Sequence, residues 1–351
     1  MKVIQWNATK KNQPMTGVKR YEDELFESMK KLVEEGNEWR IERIQRANNK
    51  IIGSTFVSWI FRYKYGDADI IHITEETIAP ALSFRKKVCI KENKPKKVVV
   101  TCHGLIPLTY PSTIKDITTK TQWALVPKAL KKADRIIAIS EFTRREIMRI
   151  IGTEEDKIDV VHHGIDHSKY HPMDKEKCKK EFYLNTDEKH ILVVSSNLVQ
   201  KRMGIAKKVF DQIRRTREDV KMLKAGYGEV LRGDGIINVG WIQEEKMPLL
   251  FNAADVYFHP SEYESFGLPI LEAMACGVPV VTSNKASIPE VVNSYNNMID
   301  LDSNDIIGKF VDKILKNIDK GVDKKAIKQS NKFSWEKTAK ETMEVYKKTW
   351  K

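Results

Sequence analysis

Short apolar, β-branched runs recur along the chain between longer stretches of helical spacing. One series of strands is predicted at Lys2–Trp6, Asp69–Ile73, Lys97–Thr101, Arg135–Ile139 and Lys157–Val161. A second is predicted at His190–Ser195, Val220–Leu223, Ile236–Val239, Asp255–Phe258 and Val278–Thr282. Between strands the period changes: after Tyr21, Leu25, Met29 and Leu32 fall on one helical face. Near-continuous apolar strands alternating with amphipathic helices imply parallel sheets covered on both faces. The fold class is therefore α/β, with two doubly wound domains. Gly164, Asp166 and Pro172 interrupt the pattern and put the division near His167–Met173, giving residues 1–168 and 169–334. A last helix, Trp335–Tyr346, carries Trp335, Ala339, Met343 and Tyr346 on one side, with Ser334 as its N-cap.

Composition agrees and narrows the class. A chain of 351 residues has room for about two domains. Its 41% hydrophobic and 31% charged residues exclude a disordered chain. The longest apolar runs, such as Ile191–Val194 and Val278–Val281, are far too short to span a bilayer. Met-Lys-Val-Ile-Gln-Trp leads straight into a polar stretch, so no signal peptide is expected. Cys89, Cys102, Cys178 and Cys276 are scattered without C-x-x-C spacing, which fits a reducing cytoplasm rather than a disulfide or zinc framework. The formal charge of +13 leaves three partners open: nucleic acid, an anionic membrane surface or a phosphate-bearing ligand. Residues 1–168 hold 30 Lys+Arg against 22 Asp+Glu, so +8 of that charge sits in the first half.

The most informative stretch is His259-Pro-Ser-Glu-Tyr-Glu-Ser-Phe-Gly-Leu-Pro-Ile-Leu-Glu272. It follows a predicted strand and opens a helix with Pro269 in its first turn. Gly267 allows close backbone approach, and a helix start beyond it offers unpaired N–H groups to a phosphate. Glu264 and Glu272 can each accept hydrogen bonds from vicinal hydroxyls, so the combination suggests a sugar nucleotide. An ordinary strand–turn–helix with solvated glutamates has the same spacing.

Glu264-Ser-Phe-Gly-Leu-Pro-Ile-Leu-Glu272 resembles the E-x7-E signature of the retaining glycosyltransferase family 4, and the likeness continues through Ala273–Val281 and Ser287–Val292. The resemblance implies a GT-B fold, two Rossmann-like domains facing each other across a cleft, with the donor held mainly by the C-terminal one. It implies that Glu264 meets the donor sugar's hydroxyls and Glu272 the ribose. The amides around Phe266, Gly267 and Leu268 would face the diphosphate or sugar. In Asn197-Leu-Val-Gln-Lys-Arg-Met-Gly204, Lys201 and Arg202 would supply the positive charge for the diphosphate. The family's usual Arg position holds Ser196 or Asn197 here, so which cation takes which role stays open. Thr16-Gly-Val-Lys-Arg-Tyr21 resembles the family's first glycine turn, with Gly17 toward the donor phosphate. Val100–Pro111 resembles H-D-L-x-P-L-x-x-P, with His103 at the reacting centre and Gly104 where Asp is usual. Ser140–Glu146 and His162–Asp166 also fit family turns; Ser140 reads equally as an N-cap, and the adjacent His162 and His163 point to opposite sides of an extended strand, against a metal pair. Trp335–Ala339 resembles the terminal helix that crosses back onto the N-terminal domain, here 335–350. No nucleophile is evident.

The expected activity is thus transfer of a hexose from a nucleotide-diphosphate sugar, of the GDP-mannose or UDP-glucose type, to an acceptor hydroxyl on a glycan or lipid-linked glycan. No metal or cofactor is implied; the nucleotide sugar is a co-substrate. The expected place is the cytoplasm, with peripheral contact at the inner membrane face through basic segments such as Phe84–Lys97. An epimerase acting on the sugar nucleotide is the alternative on the same fold. Nucleic acid is a disfavoured partner, because the basic residues disperse in pairs such as Lys30-Lys31 and Lys131-Lys132 rather than forming a stripe with aromatics. A glycosyltransferase acting on nucleic acid remains as a hybrid.

Overall fold

The computed structural model describes residues 1–36, 39–46, 68–80, 97–114, 116–195, 198–228, 230–293 and 297–351. Ser196, Asn197 and most of the basic segment Phe84–Lys97 lie outside them. The chain divides into two compact units, Met1–Gly164 with Trp335–Lys351, and Ile165–Ser334.

In the first unit the order is β1 (Lys2–Lys10), α1 (Gly17–Glu34), β2 (Arg40–Arg46), β3 (Ile70–Ile73), β4 (Lys97–Cys102), α2 (Ile117–Lys132), β5 (Arg135–Ala138), α3 (Glu141–Glu146) and β6 (Ile158–Val160). The strands form one parallel sheet in the order β2-β1-β3-β4-β5-β6. Alternate residues of each strand serve opposite faces. Ile4, Ile71, Val100 and Ile136 pack on α2, through Trp123, Val126 and Leu130. Val3, Ile70, Val99 and Ile137 pack with Tyr21, Leu25 and Met29 of α1 on the other face. There they also meet Trp335, Ala339, Met343 and Tyr346 of the final helix.

The second unit runs α4 (Lys175–Glu181), β7 (Lys189–Val194), α5 (Met203–Arg214), β8 (Val220–Ala225), β9 (Ile236–Gly240), α6 (Met247–Ala253), β10 (Val256–His259), α7 (Leu268–Ala275), β11 (Val280–Ser283), α8 (Ile288–Val292), β12 (Met298–Ile299), α9 (Ile306–Asn317) and α10 (Lys324–Ser330). The chain then returns to the first unit as α11 (Trp335–Trp350). The second sheet is also parallel, in the order β12-β11-β10-β7-β8-β9. Its strand order reverses between β7 and β10, the point at which an open α/β sheet leaves a crevice beyond its strand ends. Ile191, Val193, Val220, Met222, Phe258 and Val281 bury one face against Phe210 and Ile213 of α5 and Phe310 and Ile314 of α9.

Every predicted run is a strand, with bounds shifted at the ends. Two strands were absent from the sequence reading. β2, Arg-Ile-Glu-Arg-Ile-Gln-Arg, occupies a sheet edge, where charged residues are tolerated and no apolar run is needed. β12 is two residues long and carries no periodicity.

At the end of β8 the chain turns through Gly226, at φ +100°, and a methyl there would lie 2.6 Å from the Ser195 carbonyl oxygen. Its N–H donates to the Gly240 carbonyl at 2.7 Å. Gly226→Ala should therefore destabilise the protein by about 2–3 kcal/mol, from left-handed backbone and clash together. A urea titration reading the same midpoint as wild type would contradict that.

Candidate active site

The second unit assembles its candidate site at the switch point, from the loops after β7 and β10. The β7 loop ends in a short turn, Val199–Lys201, before α5. The β10 loop carries Glu264 and is sewn to it: Ser261 Oγ donates to the Gln200 carbonyl at 3.0 Å, and Glu262 N to the same oxygen at 2.9 Å. From the β11 side, Ser287 Oγ donates to the Glu264 carbonyl at 2.8 Å. Three loops thus hold one glutamate in place.

Glu264 is buried, and its Oε1 accepts from Lys201 Nζ at 2.6 Å and His259 Nε2 at 2.7 Å. His259 Nδ1 lies 2.9 Å from the Tyr257 hydroxyl. Burial opposes ionisation of Glu264, but the Lys201 ammonium and His259 outweigh it and hold the carboxyl below the usual range. Burial lowers His259 despite the neighbouring carboxylate, and raises Tyr257, with Glu264 and Glu272 adding to the rise. Proton placement follows. A carboxylate only accepts, so Nε2 of the neutral His259 carries its hydrogen, and Nδ1 accepts from the Tyr257 hydroxyl. Both donors land on Oε1, which leaves Oε2 able to take a further one.

The helix beyond the loop starts as the sequence spacing predicts. Gly267 is the N-cap of α7 in the left-handed region, φ +98°, and Pro269 stands in the first turn. Gly267 and Leu268 precede the first intrahelical bond, from Ile270 N to the Gly267 carbonyl at 3.0 Å. Phe266 is buried, its ring edge-on to Phe333 at 5.9 Å between centroids. Glu272 is buried on α7. Arg202 diverges from Lys201. It takes a left-handed conformation at φ 52°, and its Nε donates to Glu262 Oε2 at 2.6 Å on the more exposed side. Lys201 is thus the cation that reaches Glu264, a distinction the spacing alone left open.

The first unit places His103 at the end of β4, half-buried. Its Nε2 lies 2.8 Å from the Thr74 carbonyl oxygen, which only accepts, so Nε2 carries the proton and Nδ1 is the lone-pair nitrogen. Burial pushes the imidazole down to about 4, leaving it neutral near pH 7. Glu76 Oε2 accepts from the His103 backbone N–H at 2.8 Å. Thr74 and Glu76 therefore orient a histidine whose next residue is Gly104 rather than Asp. Gly17 is the first residue of α1, and the Thr16 hydroxyl caps that helix by accepting from Lys19 N at 3.2 Å. Ser140 is an N-cap too, accepting from Thr143 N at 3.0 Å.

Tyr257 and His259 were not singled out from the sequence, since an aromatic and an imidazole two residues apart in an apolar strand read as core. Tyr21 was assigned only to a packed helix face, yet its ring lies edge-on to His103, with centroids 4.8 Å apart. Among the described residues, no group of three or more His, Cys, Asp or Glu side chains is placed to hold a metal ion, and no helix is long and apolar enough to cross a membrane.

Residues 174–333 match the family model described as glycosyl transferases group 1, and residues 27–169 match glycosyltransferase family 4. Similar curated proteins include the O-antigen chain mannosyltransferase B of Escherichia coli, 28% identical over 72% of this chain and 70% of its own length. The serotype-specific mannosyltransferase WbdA of Escherichia coli is also 28% identical, over 71% of this chain but only 33% of its own length. Among solved structures, sucrose-phosphate synthase from Thermosynechococcus elongatus superposes with a TM-score of 0.74 at 19% identity, covering 99% of this chain and 98% of that one. HepE of Anabaena, solved in complex with UDP-glucose, gives 0.70 at 16% identity, covering 99% and 100%. Those identities bear on the fold alone, which is GT-B. With two successive family models matched along its length, the chain belongs to the family 4 glycosyltransferases.

Proposed function

We propose that this chain transfers a hexose from a nucleotide-diphosphate sugar, of the GDP-mannose or UDP-glucose type, to an acceptor hydroxyl on a glycan, with retention of configuration. The observation that carries the reading is Lys201 paired to an ionised Glu264 at the sheet's switch point, beside the start of α7. The Lys201 ammonium and the Gly267 and Leu268 amides suit a diphosphate, whose negative charge grows as it departs; fixed charges there favour the transition state over the ground state. Glu264 Oε2 would accept from a sugar hydroxyl and Glu272 from the ribose. His103, with its lone pair on Nδ1, would accept a further sugar hydroxyl rather than shuttle a proton. The departing phosphate itself would help deprotonate the acceptor on the same face. The names of similar proteins support a hexose donor: two are mannosyltransferases, and one neighbour was solved with UDP-glucose.

The net +8 over residues 1–168 favours an anionic or lipid-linked glycan as acceptor and a peripheral encounter with anionic headgroups. The proposed reaction needs no resident metal. A panel of UDP, GDP and ADP sugars should raise the thermal midpoint for one base, since a ligand of the folded state stabilises it. Product analysis with that donor and an oligosaccharide should then show an α-linked extension, undiminished by EDTA. An altered sugar nucleotide in a donor-only incubation would instead indicate an epimerase, and activity abolished by EDTA would remove the metal-free scheme.

A further inference from the structure

Beneath His103 the first unit contains a buried polar chain that the reaction scheme does not use. The Tyr21 hydroxyl lies 2.8 Å from Thr101 Oγ1, which lies 2.7 Å from His72 Nε2. His72 Nδ1 lies 2.7 Å from the Tyr346 hydroxyl, and that hydroxyl donates to Met29 Sδ at 3.9 Å. Tyr21, His72, Thr101 and Tyr346 are all fully buried.

The protons in this chain can run in only one direction. Burial lowers His72 to about 3, with His103 adding to the shift, so the ring is neutral and holds one hydrogen. Burial also keeps both tyrosines as phenols. If Tyr346 donated to His72, then His72 would donate to Thr101, and the Thr101 and Tyr21 hydroxyls would share the one bond between them, leaving one of their two hydrogens without an acceptor among the described residues. Run the other way, every hydrogen has a place. Tyr21 donates to Thr101, Thr101 to His72 Nε2, His72 Nδ1–H to Tyr346, and Tyr346 to Met29.

The Tyr21 end of this chain meets His103. Besides its edge-on contact with His103, the Tyr21 ring stacks on His163 at 5.0 Å, and His163 lies 5.8 Å from Trp335. α11 therefore reaches this ring cluster twice, through Trp335 directly and through Tyr346 by way of His72 and Thr101.

We propose that Tyr21 is a positioning residue for His103, its ring fixed by the directed chain Tyr21–Thr101–His72–Tyr346 and so by the C-terminal helix. The proposal rests on His103 serving the sugar, as argued above. A ring that slides when its hydroxyl loses Thr101 would let His103 tilt about the Thr74 bond, and small misplacements at a reacting centre lower turnover more than affinity.

The test uses the full chain with Tyr21→Phe, Tyr346→Phe and Tyr21→Leu, each checked for a native circular dichroism spectrum. Release of nucleoside diphosphate from UDP-glucose or GDP-mannose, whichever the wild type turns over, gives kcat and KM. Both Phe variants should lower kcat about tenfold with KM within twofold, and Tyr21→Leu should lower it further. In parallel, nitrogen-15 spectra of the imidazoles should show His72 protonated on Nδ1 in the wild type. They should also show a changed His103 resonance in all three variants. An unchanged kcat and His103 signal in the Phe variants, or His72 protonated on Nε2, would overturn the proposal. Because the spectra need no substrate, a wild type inactive on both sugar nucleotides would count against the proposed function while the imidazole signals still decide the positioning chain.

Discussion

Glu264→Gln should lower the turnover of sugar transfer by about a hundred- to a thousandfold while the protein stays folded. The substitution keeps the shape of the side chain, and its amide oxygen can still accept from His259 Nε2. What disappears is the negative charge 2.6 Å from the Lys201 ammonium, together with an acceptor able to bind a sugar hydroxyl strongly. The effect should fall mainly on kcat, because a freed Lys201 can still meet a diphosphate. Rates within threefold of wild type would reduce Glu264 to a structural partner of Lys201. The same substitution has a second readout. Glu264 and His259 both have folded-state values below their usual ones, 4.5 and 6.5, so the unfolded chain binds more protons as acid is added. Their contribution to stability is full above those ordinary values and is lost as the pH falls through the lowered ones. Acid unfolding of the Gln variant should therefore show a shallower pH dependence below about 4.5, since a glutamine takes up no proton.

His103→Ala should lower turnover by about a hundredfold, with a smaller change in donor affinity. Two contacts define the expected behaviour. The Thr74 carbonyl holds the Nε2 proton, and burial sets the imidazole near 4, so His103 is neutral across the working range. A histidine in that state accepts a hydrogen bond through Nδ1 and takes no part in proton transfer. The kcat profile should accordingly show no step attributable to His103 between pH 6 and 8. A wild-type inflection near pH 6.5 that vanishes in His103→Ala would assign the residue to general acid–base chemistry instead.

Much of the architecture was legible because buried parallel strands must be apolar on both faces. Val99 and Val100 serve opposite sides of one sheet, and runs of that kind stand out from helical spacing. The edge strand β2 escaped because Arg40, Glu42, Arg43 and Arg46 leave only Ile41 and Ile44 apolar, too few to form a run. Glu264 and Glu272 stood out in the sequence through their likeness to the E-x7-E signature, because the spacing alone fits two solvated glutamates equally well. The network behind Glu264 was not. Tyr257 and His259 occupy strand positions where aromatic rings normally serve as core, and only the distances show that they form a hydrogen-bonded line ending on the carboxylate. Lys201 and Arg202 are chemically similar neighbours in the sequence, yet a left-handed turn at Arg202 sends one toward Glu264 and the other toward Glu262. Tyr21 was hidden for a related reason: its period assigned it to the helix face, and its partners lie 80 residues away at Thr101 and beyond.

The first unit draws on both ends of the chain, and this governs the order in which the molecule can be made. Tyr346 meets Met29 across 317 positions of sequence. A nascent chain leaving the ribosome exposes Val3, Ile70, Val99 and Ile137 before the helix that covers them has been synthesised. The second unit, continuous from Ile165 to Ser334, has all its residues available first. Translation therefore favours a sequence in which the second unit closes early and the first unit waits for the last helix. A ribosome-arrested chain ending at Ser334 should accordingly resist protease across residues 165–334 while remaining open to cleavage in residues 1–164.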